Sequence, residues 1–236
     1  SPRWKVDLTW NSRPSERDFA KTFLTSASSG TAIRFVGNND KFRIPDSPLQ
    51  RLANFYMLRL IAADPNVNLI LRQYRSGGVQ TDRVIYDFPI GQVIDSFSRT
   101  FDGNDDATGP LRVDFLLVRA ERKLEGPGPD RDLRENGLMI VDELDAVYDL
   151  TFADSDFEKA DFLRHLFGVI RVNGLRTIIE TYLNSPEFPT SPLRVDRDGF
   201  NRDHEFSKKL LDFLAGQLRP YYEHEQKRLA DRDHDK

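Results

Sequence analysis

The strongest hydrophobic signal in the chain is an unbroken apolar run at residues 138–141, directly after Gly137. An apolar run of this length after a glycine favours a strand that is buried on both faces. Four carboxylates then alternate with apolar residues: Asp142, Glu143, Asp145 and Asp149. This pattern is typical of the solvated edge of a strand and its turn. A metal or acid/base cluster is the alternative interpretation.

Further strands are predicted on both sides of this run. Residues 68–74 and 79–88 flank a glycine-rich turn, which predicts a hairpin. Extended segments with apolar centres are also predicted at residues 92–101, 111–122 and 168–172. The segment between residues 124 and 136 is rich in glycine, proline and charge, and therefore predicts a loop between two central strands.

Apolar residues at helical spacing predict helices between these strand groups. The predicted helices cover residues 48–63, 155–166, 174–183 and 205–229. Pro48 suits the first helical position, and Ser155 with Glu158 matches a capping box. Hairpins mixed with helices indicate an α+β fold, with a mixed or antiparallel sheet and helices packed on one face.

Composition narrows the class of protein. The chain has 236 residues, of which 39% are apolar and 31% charged, as in a globular protein. No apolar run approaches the roughly 18 residues of a membrane span, so no membrane partner is expected. The chain has no cysteine, which excludes disulfides and thiolate chemistry and is consistent with a cytoplasmic location. The net charge of −4 argues against a surface that neutralises phosphate throughout.

Sequence motifs for catalysis are incomplete. The chain lacks a serine elbow, a phosphate-binding P-loop and a dinucleotide fingerprint. The acidic stretch at residues 196–205 fails the EF-hand template, because Gly199 stands at the fourth position instead of the sixth. The histidines His165, His204, His224 and His234 lack helical metal-ligand spacing, and we assign them solvated or capping roles. No metal site is therefore predicted.

Several segments together resemble the MORC-like and MutL-like GHKL ATPases, in the prokaryotic branch associated with restriction and phage defence. The segment at residues 137–152 carries most of the resemblance. The other matching segments are residues 30–35, 44–45, 54–59, 87–91, 166–171, 197–200 and 204–206. Their order and spacing extend the resemblance from about residue 4 to residue 229.

The resemblance implies two domains. Residues 1–45 would be the closing strands of an incomplete ATP-binding domain, with Gly30 and Thr31 at the fringe of the ATP pocket. Residues 46–236 would form a transducer-like domain, an α/β sandwich of the ribosomal-protein type with a C-terminal helix. The magnesium-holding helix and the adenine-reading loop of the family precede this chain, so ATP and magnesium are expected only with the missing upstream segment.

The resemblance also implies a phosphate sensor. Transducer domains of this family send a lysine from a loop between central strands toward the γ-phosphate, where a cation detects the additional negative charge. Residues 122–136 match that loop, with Lys123 as its only lysine and Arg131 and Arg134 as substitutes. A solvated loop charge is the alternative interpretation for each. The expected partners are the upstream ATP-binding domain, a second copy in the full-length form, and DNA as a candidate.

Two other functions stay open at this point. A stand-alone nucleic-acid or protein binding module would use the arginines of the predicted hairpin, Arg72, Arg75 and Arg83. It could also use Arg164, Arg171 and Arg176. A metal-dependent hydrolase would instead use Asp142, Glu143 and Asp145, together with residues 196–205.

Overall fold

The computed structural model describes most of the chain from residue 48 onward. The described residues are 48–75, 78–103, 109–127, 134–184, 190–194 and 199–234, and they belong to one compact unit that begins at Ser47. Gly30 and Thr31, with the rest of the predicted ATP-binding segment at residues 1–45, lie outside the described residues. Their assignment stays a prediction.

Two short helices and a 3-10 turn open the described part. They are α1 (Pro48–Asn54), the turn at Tyr56–Leu58, and α2 (Arg59–Ala63). Pro48 begins α1, as its fixed backbone angle predicts. The prediction of a single helix over residues 48–63 is wrong, because the backbone is extended at Phe55 and interrupts the helix there. Tyr56 is fully buried immediately after the break.

The predicted hairpin is present as a separate two-stranded sheet. Strand β1 (Ile70–Arg75) pairs antiparallel with β2 (Gly78–Arg83). The register places Arg72 opposite Thr81 and Arg75 opposite Gly78. The glycine-rich turn in the sequence therefore predicted this pairing correctly.

A five-stranded mixed sheet forms the centre of the unit. Its strands are β3 (Gly91–Phe101), β4 (Leu111–Ala120), β5 (Gly137–Val141), β6 (Val147–Thr151) and β7 (Leu166–Val172). The order is β3-β4-β7-β5-β6, and only the β5·β7 pairing is parallel. Every residue of β5 is buried, which confirms the prediction from its apolar run.

Two longer helices cover one face of this sheet. Helix α3 (Leu175–Asn184) and helix α4 (Glu205–His234) contribute apolar side chains to the main core. The opposite face is also partly covered, since Tyr56 packs there with Met139, Val141 and Leu150. The α+β class is therefore confirmed, whereas packing on one face alone is wrong. No helix in the described ranges has an apolar stretch that could cross a bilayer.

The helix predicted at residues 155–166 is absent from the described structure. The segment consists of turns and a 3-10 helix at Asp161–Leu163. Glu158 is the reason, because its Oε2 accepts hydrogen bonds from Phe152 N and Thr151 Oγ1, at 2.9 and 3.0 Å. A side chain committed to the preceding strand cannot close the capping box that the sequence suggested.

The acidic turn after β5 is more buried than predicted. Asp142 is fully buried, and its Oδ1 accepts hydrogen bonds from the backbone N–H groups of Leu144 and Ala146, each at 2.9 Å. Asp149 is also buried, and its carboxylate accepts from Phe200 N at 3.1 Å. The prediction of a solvated edge is therefore wrong for these two residues, whose carboxylates satisfy buried backbone donors.

We expect Gly168→Ala to destabilise the sheet. A Cβ at this position would lie 2.0 Å from the backbone oxygen of Leu116, so β4 and β7 would have to separate. The loss should be about 2 kcal/mol or more in urea unfolding. Gly216→Ala in α4 is the matched control, since its Cβ would meet nothing within 4 Å. It should stabilise the protein by about 0.5–1 kcal/mol, and equal effects of the two variants would contradict the packing described.

We expect His204 to make stability depend on pH. The ring is buried against Tyr182, with centroids 4.6 Å apart, which corrects its predicted solvated role. His204 directly precedes α4, and its backbone oxygen accepts from Lys208 N at 2.9 Å, as its predicted capping position requires. Burial lowers the pKa of His204, so the unfolded chain binds the proton more readily. Stability is therefore retained above the ordinary histidine pKa, about 6.5, and lost as the pH falls below it. Urea unfolding between pH 7 and 5 should show this loss, and His204→Phe should reduce it.

Candidate functional site

The loop between β4 and β5 returns close to its starting point. Its two ends meet where the backbone N–H groups of Glu135 and Asn136 donate to Glu125 O, at 2.8 and 3.1 Å. Strand β7 lies between β4 and β5 in the sheet, so the loop crosses that strand's end. Residues 128–133, which include the candidate Arg131, lie outside the described residues.

An ion pair between Arg122 and Glu135 joins the two ends of the loop at its base. Arg122 donates from Nη1 and Nη2 to the two carboxylate oxygens of Glu135, at 2.7 and 2.6 Å. Glu135 also accepts from Glu125 N at 3.0 Å. The hydrogen bond from Arg122 holds the pKa of Glu135 below its ordinary value. This bidentate geometry joins the outgoing and returning ends of the loop.

Lys123, the predicted phosphate sensor, sits on the surface beside this clamp. Its Nζ lies 2.7 Å from Asp161 Oδ2, and both side chains are exposed. The hydrogen bond from Lys123 lowers the pKa of Asp161. An exposed ion pair of this kind contributes little free energy, so another anion can replace the aspartate. The phosphate-sensing role of Lys123 stays a prediction.

Arg134, the other described candidate, is placed differently. Only 3% of it is exposed, and its Nε donates to the backbone oxygen and to Oδ1 of Asn136, at 2.8 and 3.0 Å. The guanidinium also forms an ion pair with Glu158 and lies over the ring of Phe152, 5.3 Å from its centroid. These contacts make Arg134 a buried anchor of the loop within the described structure.

Arg59 belongs to the same buried cluster, and no sequence pattern predicted its place there. This side chain is 2% exposed and donates to Asn54 O from Nε and Nη2, at 3.0 and 2.8 Å, and to Arg134 O. Burial lowers the pKa of Arg59, and burial raises that of Tyr86, whose ring lies 5.1 Å from the guanidinium carbon. Only the folded chain brings Arg59 to the backbone of the loop.

A cavity lies beside this cluster and combines both signs of charge. Arg59 and Glu135 provide its charged lining, and the apolar residues Met139, Leu150 and Phe167 provide much of the rest. A cation and a carboxylate side by side do not select for an anion. Across the described ranges, no group of three or more His, Asp or Glu side chains is arranged to hold a metal ion. These residues do not fit an ATP–magnesium site.

The nucleic-acid candidates lie on several elements of the fold. Arg83 is exposed and donates to Val67 O at 3.2 Å, whereas only the backbone is described for Arg72 and Arg75. Of the further candidates, Arg171 is paired with Asp145, Arg164 with Glu125 and Asp161, and Arg176 with Glu180. Such pairing reduces the positive charge that these arginines present to a phosphate backbone. Their contact with nucleic acid stays a prediction.

Comparisons with family models, with curated proteins and with solved structures find no match to this chain. The resemblance to GHKL ATPases therefore rests on the sequence segments given above. The structure contributes the geometry of the loop base, in which a clamp and a buried anchor flank an exposed lysine.

We expect the two cations of the loop base to differ strongly in their contribution to stability. Arg134→Met should cost about 3–5 kcal/mol, because Glu158 would lose its cation and buried oxygens would lose their donor. Lys123→Met removes the same charge from an exposed pair and should cost less than about 1 kcal/mol. Urea unfolding measures both changes. Similar losses for the two variants would contradict the assignment of Arg134 as the anchor.

Proposed function

We propose that this chain is the nucleotide-state-sensing transducer portion of a GHKL-type ATPase of the MORC-like or MutL-like class. In this proposal it acts on DNA in a restriction or phage-defence context and has no ATPase activity of its own. The fold would be the transducer-like α/β sandwich of the ribosomal-protein type. The α+β architecture and the resemblance in sequence support this proposal. An upstream domain would hold ATP and magnesium.

The construction of the loop base is the observation that carries the proposal. A phosphate sensor needs a cationic side chain that can exchange one anionic partner for another. The backbone that carries this side chain must stay in place during the exchange. Lys123 has an exposed partner, Asp161, 2.7 Å away. The neighbouring Arg122 is held by two hydrogen bonds to Glu135. A γ-phosphate has more negative charge than a single carboxylate and would compete with Asp161 for the lysine.

The same contacts suggest how a change at Lys123 would be relayed. Arg134 donates to Leu150 O on β6 at 3.3 Å and pairs with Glu158 beyond that strand. Arg59 connects the backbone of Arg134 to α2. A displacement of the loop would therefore act on both the sheet and the short helices. Loss of the γ-phosphate on hydrolysis would allow Lys123 to return to Asp161.

We expect Lys123→Ala to lower ATP hydrolysis by the full-length protein by roughly tenfold or more, because a cation would no longer meet the γ-phosphate. Steady-state phosphate release measures this effect. Lys227→Ala is the matched control, since Lys227 is an exposed lysine on α4 and should leave the rate unchanged. Asp161→Asn removes the competing carboxylate and should leave hydrolysis equal to or above that of the wild type.

Unchanged hydrolysis in Lys123→Ala would remove the sensor role. Detectable hydrolysis or tight ATP–magnesium binding by the chain alone would contradict the proposal as a whole. If the full-length protein bound no nucleotide, the alternative function would be favoured, namely a stand-alone nucleic-acid or protein binding module.

A further inference from the structure

Within the described residues, the two edge strands of the five-stranded sheet, β6 and β3, differ in their contacts. On β6, Phe200 contacts two side chains: its N–H donates to the Asp149 carboxylate, and its ring stacks with Tyr148, with centroids 6.5 Å apart. On the opposite edge, β3 has eleven residues and no neighbouring strand on its outer side within the described ranges. Five of its first eight residues are exposed and the other three are partly buried; Val93, for example, is 54% exposed. A long exposed edge is a template for pairing with another strand.

Two backbone groups of β3 bond to side chains of β3 itself. Ser96 N donates to Asp95 Oδ1 at 2.7 Å, and Ser98 O accepts from Arg99 Nη1 at 2.9 Å. Because these groups use side chains of their own strand as partners, we place them on the outer side, away from β4. Residues two apart in a strand direct their backbone groups to the same side, which agrees with this placement.

Two copies of β3 have complementary backbone groups when they pair antiparallel with Phe97 opposite Phe97. In that register Ser96 faces the partner's Ser98, so each N–H meets a C=O across the edge. Asp95 faces the partner's Arg99, and two-fold symmetry repeats this opposite-charge pair. Centring the pair one residue earlier or later places an aromatic residue opposite Asp95 instead: Phe97 or Phe101.

We propose that β3 is the interface with a second copy of this chain, paired antiparallel about Phe97. The five strands of each copy then form one continuous sheet. The two-fold axis stands perpendicular to the sheet, so both copies of α4 lie on the same face. Asp95 and Arg99 exchange their contacts within β3, and those with Tyr221 and Gln217 of α4, for contacts with the partner. This association needs no nucleotide and does not depend on the proposed function.

Sedimentation of the 236-residue chain over a concentration series, without nucleotide, tests the interface. The wild type should dimerise reversibly. Arg99→Asp places a carboxylate opposite Asp95 at both symmetric positions and should raise the dimer dissociation constant roughly tenfold or more. The double variant Asp95→Arg/Arg99→Asp restores opposite charges in this register and should return the constant to near the wild-type value.

Ser98→Pro tests the backbone contacts independently of charge. It removes an outward N–H, a position at which edge strands tolerate proline, and should leave the chain folded but monomeric. Circular dichroism checks folding of each variant. A monomeric wild type at all concentrations would overturn the proposal. Dimerisation that is unchanged in both Arg99→Asp and Ser98→Pro would also overturn it, as would a folded double variant without recovery.

Discussion

Burial of the Arg134 guanidinium constrains the rest of the structure more than any other single interaction. A buried cation is tolerated only with a counter-ion and hydrogen-bond acceptors around it. Glu158 provides the counter-ion, and Asn136 and Leu150 provide acceptors. The loop after β4 must therefore return at one place on the sheet. The segment after β6 must also bring Glu158 back toward β5.

The sheet gives this network a rigid support. Strand β5 is buried along its whole length, with parallel β7 on one side and antiparallel β6 on the other. Gly168 allows β7 to approach Leu116 of β4 closely, since any side chain there would meet the Leu116 carbonyl. The ion pair of Arg122 and Glu135 is therefore attached to a tightly packed sheet. Lys123 combines this fixed position with an exposed, replaceable partner.

Local pattern was sufficient where a segment's structure depends on its own residues. The apolar run after Gly137 indicated a buried strand, and the glycine-rich turn indicated a hairpin; both are present. Local pattern failed where a distant residue competes for a side chain. Ser155 and Glu158 fit a capping box, but Glu158 instead bonds to Phe152 N and to Arg134. The partners of Glu158 could not be predicted from its neighbours in sequence, because they come close to it only in the folded chain.

The sequence by itself determined the α+β class, most strand positions and the loop in which Lys123 and Arg134 lie. It determined these because hydrophobic period, glycine and proline act over a few residues. Only the tertiary structure decided that Lys123 is exposed while Arg134 is buried, and that Arg59 joins the same cluster. The physical reason is that burial and counter-ion pairing depend on residues that are far apart in the chain and adjacent only after folding.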